Sequence, residues 1–135
     1  MNEMTVEAKV ENIPAITAWI DEELEKAGCS IKAQMQIDVA IDELFSNIAY
    51  YAYAPDTGEA TVRFGFDPAS RTATITFIDS GKPYNPLERN DPDITKTVEE
   101  RTVGGLGIFL VKKTMDSLNY HYSEGRNIFS IQKKV

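Results

Sequence analysis

The sequence predicts an α+β fold: a two-layer sandwich in which a mostly antiparallel sheet is covered on one face by helices. Three observations carry this. Several stretches alternate apolar and polar residues with a period of two, while others repeat apolar residues every three or four positions. Successive strand patterns are joined by turns of a few residues, too short for a parallel crossover, so these neighbours run antiparallel. Each strand carries one apolar face only, which calls for a single covering layer of helices. With 135 residues, 42% of them hydrophobic, the chain is expected to form one domain over residues 1–135 with a single core.

Residues 4–10 open as a strand, with Met4, Val6, Ala8 and Val10 on one face and Thr5, Glu7 and Lys9 on the other. Asn12 is placed to cap a first helix, with Pro14 tolerated in its first turn and Ile13, Ile16, Ile20, Leu24 and Ala27 as its apolar stripe. Gly28 stops it. A second, longer helix is expected over residues 30–53, with Met35, Val39, Leu44, Ile48 and Ala52 among its buried positions. After a turn at Pro55-Asp56-Thr57-Gly58, Ala60, Val62, Phe64 and Phe66 share one strand face. Beyond the turn Asp67-Pro68-Ala69-Ser70, Ala73, Ile75 and Phe77 point inward and Thr72, Thr74 and Thr76 outward. Residues 80–103 hold three prolines, mixed charges and no sustained period. A loop of this length in a compact domain tends to be functional, and residues 86–103 are expected to form a lid. A third helix covers about residues 106–115, and strands over 118–122 and 127–133 flank the turn Ser123-Glu124-Gly125-Arg126. No repeat, low-complexity segment or interdomain linker interrupts this order.

The net charge of −7 argues against a direct nucleic-acid partner held by bulk electrostatics. An anionic nucleotide would need local help from magnesium, backbone N–H groups and a few basic side chains. The single cysteine, Cys29, rules out an internal disulfide framework and reads as a small residue near a helix end in a reducing compartment. Met1-Asn2-Glu3-Met4 lacks the regions of a signal peptide, and no apolar run approaches the roughly 20 residues that cross a bilayer. The expectation is a soluble, cytoplasmic protein with no membrane contact.

Three short motifs carry chemistry. Glu43 and Asn47 are four apart in the second helix and so lie on one face, a turn from each other. Asn47 offers an amide oxygen that magnesium accepts when phosphates and water supply the rest. Glu43 is placed to orient or deprotonate a hydroxyl beside a terminal phosphate. A solvated Glu and Asn on an amphipathic helix give the same spacing, so both readings stand. Asp79 continues the inward phase of Ala73, Ile75 and Phe77, putting a carboxylate where a core residue belongs. Burying an ion is costly unless it is hydrogen-bonded, and the amino group of adenine is a suitable donor. Gly81 then lets a ligand approach the backbone; a strand-ending turn at Asp79-Ser80-Gly81 is the competing reading. Gly104-Gly105-Leu106-Gly107 opens the apolar helix that begins Ile108-Phe109-Leu110-Val111, where free N–H groups and the helix dipole favour phosphate. A simple hinge also fits. Arg101, just before, is within reach of a terminal phosphate. The set reads as an ATP site, and neither the P-loop pattern nor the dinucleotide fingerprint occurs. His121, Trp19 and the tyrosines read as structural.

These motifs resemble the N, G1 and G2 boxes of the GHKL (Bergerat-fold) ATP-binding superfamily, and more closely the bacterial anti-sigma-factor serine/threonine kinases. Asp79-Ser80-Gly81-Lys82-Pro83-Tyr84-Asn85-Pro86 is similar to that family's form of the G1 box, and residues 104–116, Tyr120 and the closing strand match its carboxyl-terminal pattern. The resemblance implies a GHKL-like fold with Glu43 as general base, Asn47 as magnesium ligand and Asp79 as adenine reader. Gly81 and Pro83 would belong to the nucleotide pocket, and Gly104, Gly105, Leu106 and Gly107 to the phosphate turn, with Arg101 nearby. ATP and Mg2+ are the implied cofactors. A STAS-type antagonist is the implied protein substrate, a sigma factor or other regulated protein a further partner, and a homodimer the implied assembly. Tyr51 stands where the family often has a histidine or another polar group. Two other readings accompany the kinase: a nucleotide-dependent sequestering module without phosphotransfer, and a histidine-kinase-type catalytic domain. The last would lack room for a phospho-acceptor helix pair.

Overall fold

The computed structural model describes residues 2–88 and 105–135. Five strands form one antiparallel sheet in the order β1-β2-β3-β5-β4: β1 (Asn2–Glu7), β2 (Glu59–Asp67), β3 (Thr72–Asp79), β4 (Ser117–Ser123) and β5 (Arg126–Lys134). Helices α1 (Ile13–Lys26), α2 (Ile31–Asn47) and α3 (Gly105–Thr114) supply the second layer. The predicted α+β sandwich is thus the observed one, with α2 packed against both α1 and α3.

The core lies between the layers. Ala60, Val62, Phe64, Ala73, Ile75, Phe77, Phe129 and Ile131 face inward from the sheet. Ile16, Ile20 and Leu24 of α1, Ile37, Ile41, Leu44 and Phe45 of α2, and Ile108 and Val111 of α3 meet them. The outer sheet face is polar and laced by hydroxyls, as in the Thr76–Ser130 and Thr5–Thr61 contacts. The helices cover the other, apolar face.

Local chemistry fixes the corners. Gly28 adopts φ +76° as the residue after the α1 C-cap, and the Cys29 and Gly28 N–H groups donate to the carbonyls of Leu24 and Glu25. This is a Schellman closure, which satisfies carbonyls the helix leaves open. Arg71 donates to the carbonyls of Ala27 and Val135, tying the end of α1 to the sheet. Ser30 caps α2 by accepting from the Ala33 N–H at 3.1 Å. Glu124 and Gly125, both at positive φ, make the two-residue turn between β4 and β5.

Four expectations are corrected. β1 ends at Glu7, and Val10 enters a 3-10 turn, Val10–Asn12. Asn12 does not cap α1; its amide donates to the Glu7 carbonyl and holds the preceding turn. The second helix ends at Asn47 and continues as a π-helical turn, Ile48–Ala52. Met35 and Val39 are not buried but 64% and 47% exposed. They share a face with Ile31 at four-residue spacing, on the opposite side of the helix from the stripe Ala33, Ile37, Ala40, Ile41 and Leu44 that meets the sheet. Either stripe satisfies helical periodicity; the denser one wins the core.

One polar pair sits between α1 and α2. Asp38 of α2 hydrogen-bonds to Asp21 of α1, and its carboxyl is pushed up to about 8 by burial, by that hydrogen bond and by the charge of Asp21. The folded value lies above the unfolded one of about 3.9. The folded state therefore holds this proton, and its stabilising effect is full below pH 4 and lost as pH rises through 8. Asp38→Asn, whose amide donates permanently, is expected to flatten the decline in thermal stability between pH 5 and 9. An unchanged slope in that variant would exclude the pair as its source.

Candidate functional site

The inward phase of β3 ends on Asp79, which the register sets between Ala60 of β2 and Asn127 of β5. Asp79 is 6% exposed. Its Oδ1 accepts from the Gly81 N–H at 2.9 Å and from Asn127 Nδ2 at 3.0 Å. Burial pushes the Asp79 carboxyl up, and the Asn127 and Gly81 hydrogen bonds pull it back toward the ordinary range. Its Oδ2 makes no hydrogen bond among the described residues.

A partly open cavity lies above this carboxylate. Leu44, Asn47, Ile48 and Ala52 line it from α2 and the π-helical turn, and Phe77, Asp79, Tyr120, Asn127 and Phe129 line it from the sheet. Lys82, Tyr84 and Pro86 close one side. Apolar walls with a few placed polar groups suit a flat, partly polar ring such as a purine.

Asn47, at the end of α2, is 8% exposed, and its buried Nδ2 has no hydrogen-bond partner among the described residues. Its other amide atom, Oδ1, makes no hydrogen bond among the described residues. A buried amide left open on the cavity wall fits a group that ligand or metal would engage. Glu43 lies one turn earlier, and a Cβ at Gly107 would overlap its carboxylate. Gly107 is therefore what allows α3 to start directly against Glu43, so two motifs far apart in sequence meet here.

Gly81 is explained by packing. A Cβ there would overlap the Ala52 carbonyl, the same oxygen that accepts from the Lys82 N–H at 2.9 Å. The space that its missing side chain leaves is filled by protein backbone rather than left for a ligand. Tyr53 adds a second tie: its hydroxyl accepts from the Ser80 N–H at 2.8 Å and donates to the Glu59 carbonyl. The strand-ending loop is thus held to the end of α2, which keeps the Asp79 carboxylate in place.

The remaining sequence-predicted residues divide. Pro83 is exposed and does not line the cavity. Gly105 and Leu106 open α3. Arg101 and Gly104 lie outside the described residues, as does the expected lid beyond Glu88; its first residues form a 3-10 turn, Pro86–Glu88, with Pro86 buried in the cavity wall. His121 is exposed on β4, and Trp19 packs half-buried against the core. Tyr51 is 49% exposed and outside the cavity lining.

Sequence reasoning assigned neither Asn127 nor Tyr120 to the site, although Tyr120 matched the family's carboxyl-terminal pattern. Asn127 continues the inward phase of Ile131 and Phe129, so the signal that singled out Asp79, a polar residue in a core register, was present for it too.

Known proteins resemble this chain in sequence and in fold. A model of the histidine kinase-like ATPase domain matches residues 6–133. Serine-protein kinase RsbW of Bacillus cereus (strain ATCC 10987 / NRS 248) is 30% identical over 130 residues, spanning 93% of this chain and 80% of that protein. Serine-protein kinase RsbW of Bacillus mycoides (strain KBAB4) is 28% identical over the same shares. Among solved structures, the Acinetobacter baumannii histidine kinase AdeS aligns over 99% of this chain and 68% of that chain with a TM-score of 0.50 and 13% identity, a likeness of fold alone.

Proposed function

Because the chain belongs to the family of histidine kinase-like ATPase domains, we propose that it is an ATP-dependent serine/threonine protein kinase of the anti-sigma-factor type. In this reading it phosphorylates a STAS-type antagonist in a partner switch and sequesters a sigma factor or another regulated protein when the antagonist is phosphorylated. The observation that carries the reading is the buried Asp79 carboxylate at the floor of a largely apolar cavity, with Oδ2 making no hydrogen bond among the described residues. An adenine amino group is the donor such an acceptor calls for.

Mg2+ fits the site through Asn47 Oδ1. Among the described residues no group of three or more His, Cys, Asp or Glu could hold a metal ion. Phosphate oxygens and water would supply most of its ligands, as Mg2+ ordinarily prefers. When bound, the ion supplies charge neutralisation on the β- and γ-phosphates. The start of α3 at Gly105 and Gly107 would offer backbone N–H groups to those phosphates. Glu43, held against that helix start, would accept the proton of the incoming serine hydroxyl as its oxygen bonds to the γ-phosphorus and the bond to ADP breaks. No helix among the described residues is long and apolar enough to cross a membrane.

The experiment is a ternary mixture of this protein, ATP-Mg and a STAS-type protein, scored for phosphoserine by mass spectrometry. Phosphoserine on the antagonist is expected. ATP binding without phosphotransfer to any cognate antagonist would replace the kinase with the sequestering module, the reading that Tyr51 in place of a polar group favours.

A further inference from the structure

Asn127 stands at the centre of a hydrogen-bond network that the proposed chemistry has not yet used. Its Nδ2 donates to Asp79 Oδ1 at 3.0 Å and to the Lys82 carbonyl at 2.8 Å. Its Oδ1 accepts from the Tyr84 N–H at 3.1 Å and from the Tyr120 hydroxyl. Tyr84 N–H also reaches the Tyr120 oxygen at 3.3 Å. All the hydrogen-bonding capacity of one amide is engaged, in a side chain that is 6% exposed.

The partners fix which way that amide points. The Lys82 carbonyl only accepts and the Tyr84 N–H only donates, so Nδ2 must face Lys82 and Asp79, and Oδ1 must face the tyrosines. Asp79 Oδ1 is then presented with two donors, Gly81 N–H and Asn127 Nδ2. Two donors on one oxygen favour the ionised carboxylate over the protonated acid. They also fix the carboxylate plane, so that Oδ2 alone faces the cavity and faces it as an acceptor.

We propose that Asn127 is the positioning residue that sets purine selectivity, holding Asp79 as an acceptor so that the site takes a 6-amino purine and rejects a 6-oxo purine. The inference rests on the ATP reading and deepens it. Without the Asn127 donor, burial dominates at Asp79, the acid takes up a proton, and Oδ2–H becomes a donor. A donor there opposes the donating amino group of adenine and donates instead to the accepting carbonyl oxygen of hypoxanthine or guanine. Loss of Asn127 should therefore erode the discrimination itself, not merely weaken binding.

The test uses two nearly isosteric substitutions suited to a strand, Asn127→Thr and Asn127→Val, which differ in a single hydroxyl donor beside Asp79. ATP and ITP affinities are measured by calorimetry from pH 6 to 8. The wild type is expected to bind ATP well above ITP with a flat pH profile. The valine variant is expected to lose about tenfold or more in ATP affinity, the scale of one charge-assisted hydrogen bond. Its ATP:ITP ratio should narrow by a similar factor, and its ATP affinity should rise with pH as Asp79 ionises. The threonine variant should keep more of the ratio and a flatter profile. Equal ratios and profiles in the two variants would overturn the proposal, whereas failure of the wild type to bind ATP at all would instead overturn the reading beneath it. The carbon-13 shift of the Asp79 carboxyl in the free wild-type protein gives a check that needs no variant. A carboxyl ionised throughout pH 6–8 supports the role of Asn127, and one that titrates in that window overturns it.

Discussion

Asp79→Asn is expected to lower ATP affinity by about 2 kcal/mol or more, roughly thirtyfold, while leaving the fold intact. The network around the residue dictates both halves of that result. Gly81 N–H and Asn127 Nδ2 both donate to Oδ1, so an asparagine at this position would keep its oxygen there and retain both bonds. Its own amide nitrogen would then occupy the place of Oδ2 and present a donor to the donating amino group of adenine. Stability should change little, because the bonds that hold the loop to the end of α2 run through Lys82, Ser80 and Tyr53. Calorimetric titration of the folded variant checks this; unchanged affinity would remove Asp79 from the nucleotide site.

The second large effect separates the two residues on α2. Glu43→Gln keeps the shape packed against Gly107 but cannot take a proton. It should bind ATP-Mg like the wild type and slow phosphotransfer by roughly a hundredfold or more. Asn47→Ala should instead lose ATP-Mg affinity and transfer together, since it removes a metal ligand. Among the described residues Nδ2 has no hydrogen-bond partner for the alanine to remove, so a binding defect there would not be explained by unfolding. Nucleotide affinity measured beside single-turnover transfer separates the two. Loss of ATP binding in Glu43→Gln would show that Glu43 is not a base acting on the incoming hydroxyl.

Much of this was legible in the sequence, and what was missed has physical reasons. Strand phase is strict: a period of two leaves no latitude, so Ala60, Val62, Phe64 and Phe66 and then Ala73, Ile75, Phe77 and Asp79 could be placed on the core face from the residues alone, and the structure buries all of them except Phe66, which is half-buried. Helical phase is looser. The second helix carries two apolar stripes, and only its contacts with α1 and α3 decide that Ile37 and Ile41 are buried while Ile31 and Met35 are not. The π-helical turn after Asn47 has no sequence signature of its own, because it depends on the approach of residues 80–82 to Ala52. At the site, Asp79 was visible as a charge in a core register. Asn127 carried the same signal, but its partners lie 48 and 45 residues away and appear only once β3 and β5 pair. Glycines were recognisable as special, yet their reasons were not: Gly107 makes room for Glu43, and Gly81 for the carbonyl of Ala52.

The central claim, that the cavity over Asp79 is an ATP site completed by magnesium, is tested most directly by titrating the wild-type protein with ATP in the presence and absence of Mg2+, with GTP as the control. The account predicts saturable one-site binding of ATP that tightens when Mg2+ is added and weakens roughly thirtyfold or more in Asp79→Asn, with GTP binding far more weakly because its 6-oxo group faces the carboxylate. No binding of ATP, or equal affinity for ATP and GTP, would contradict it.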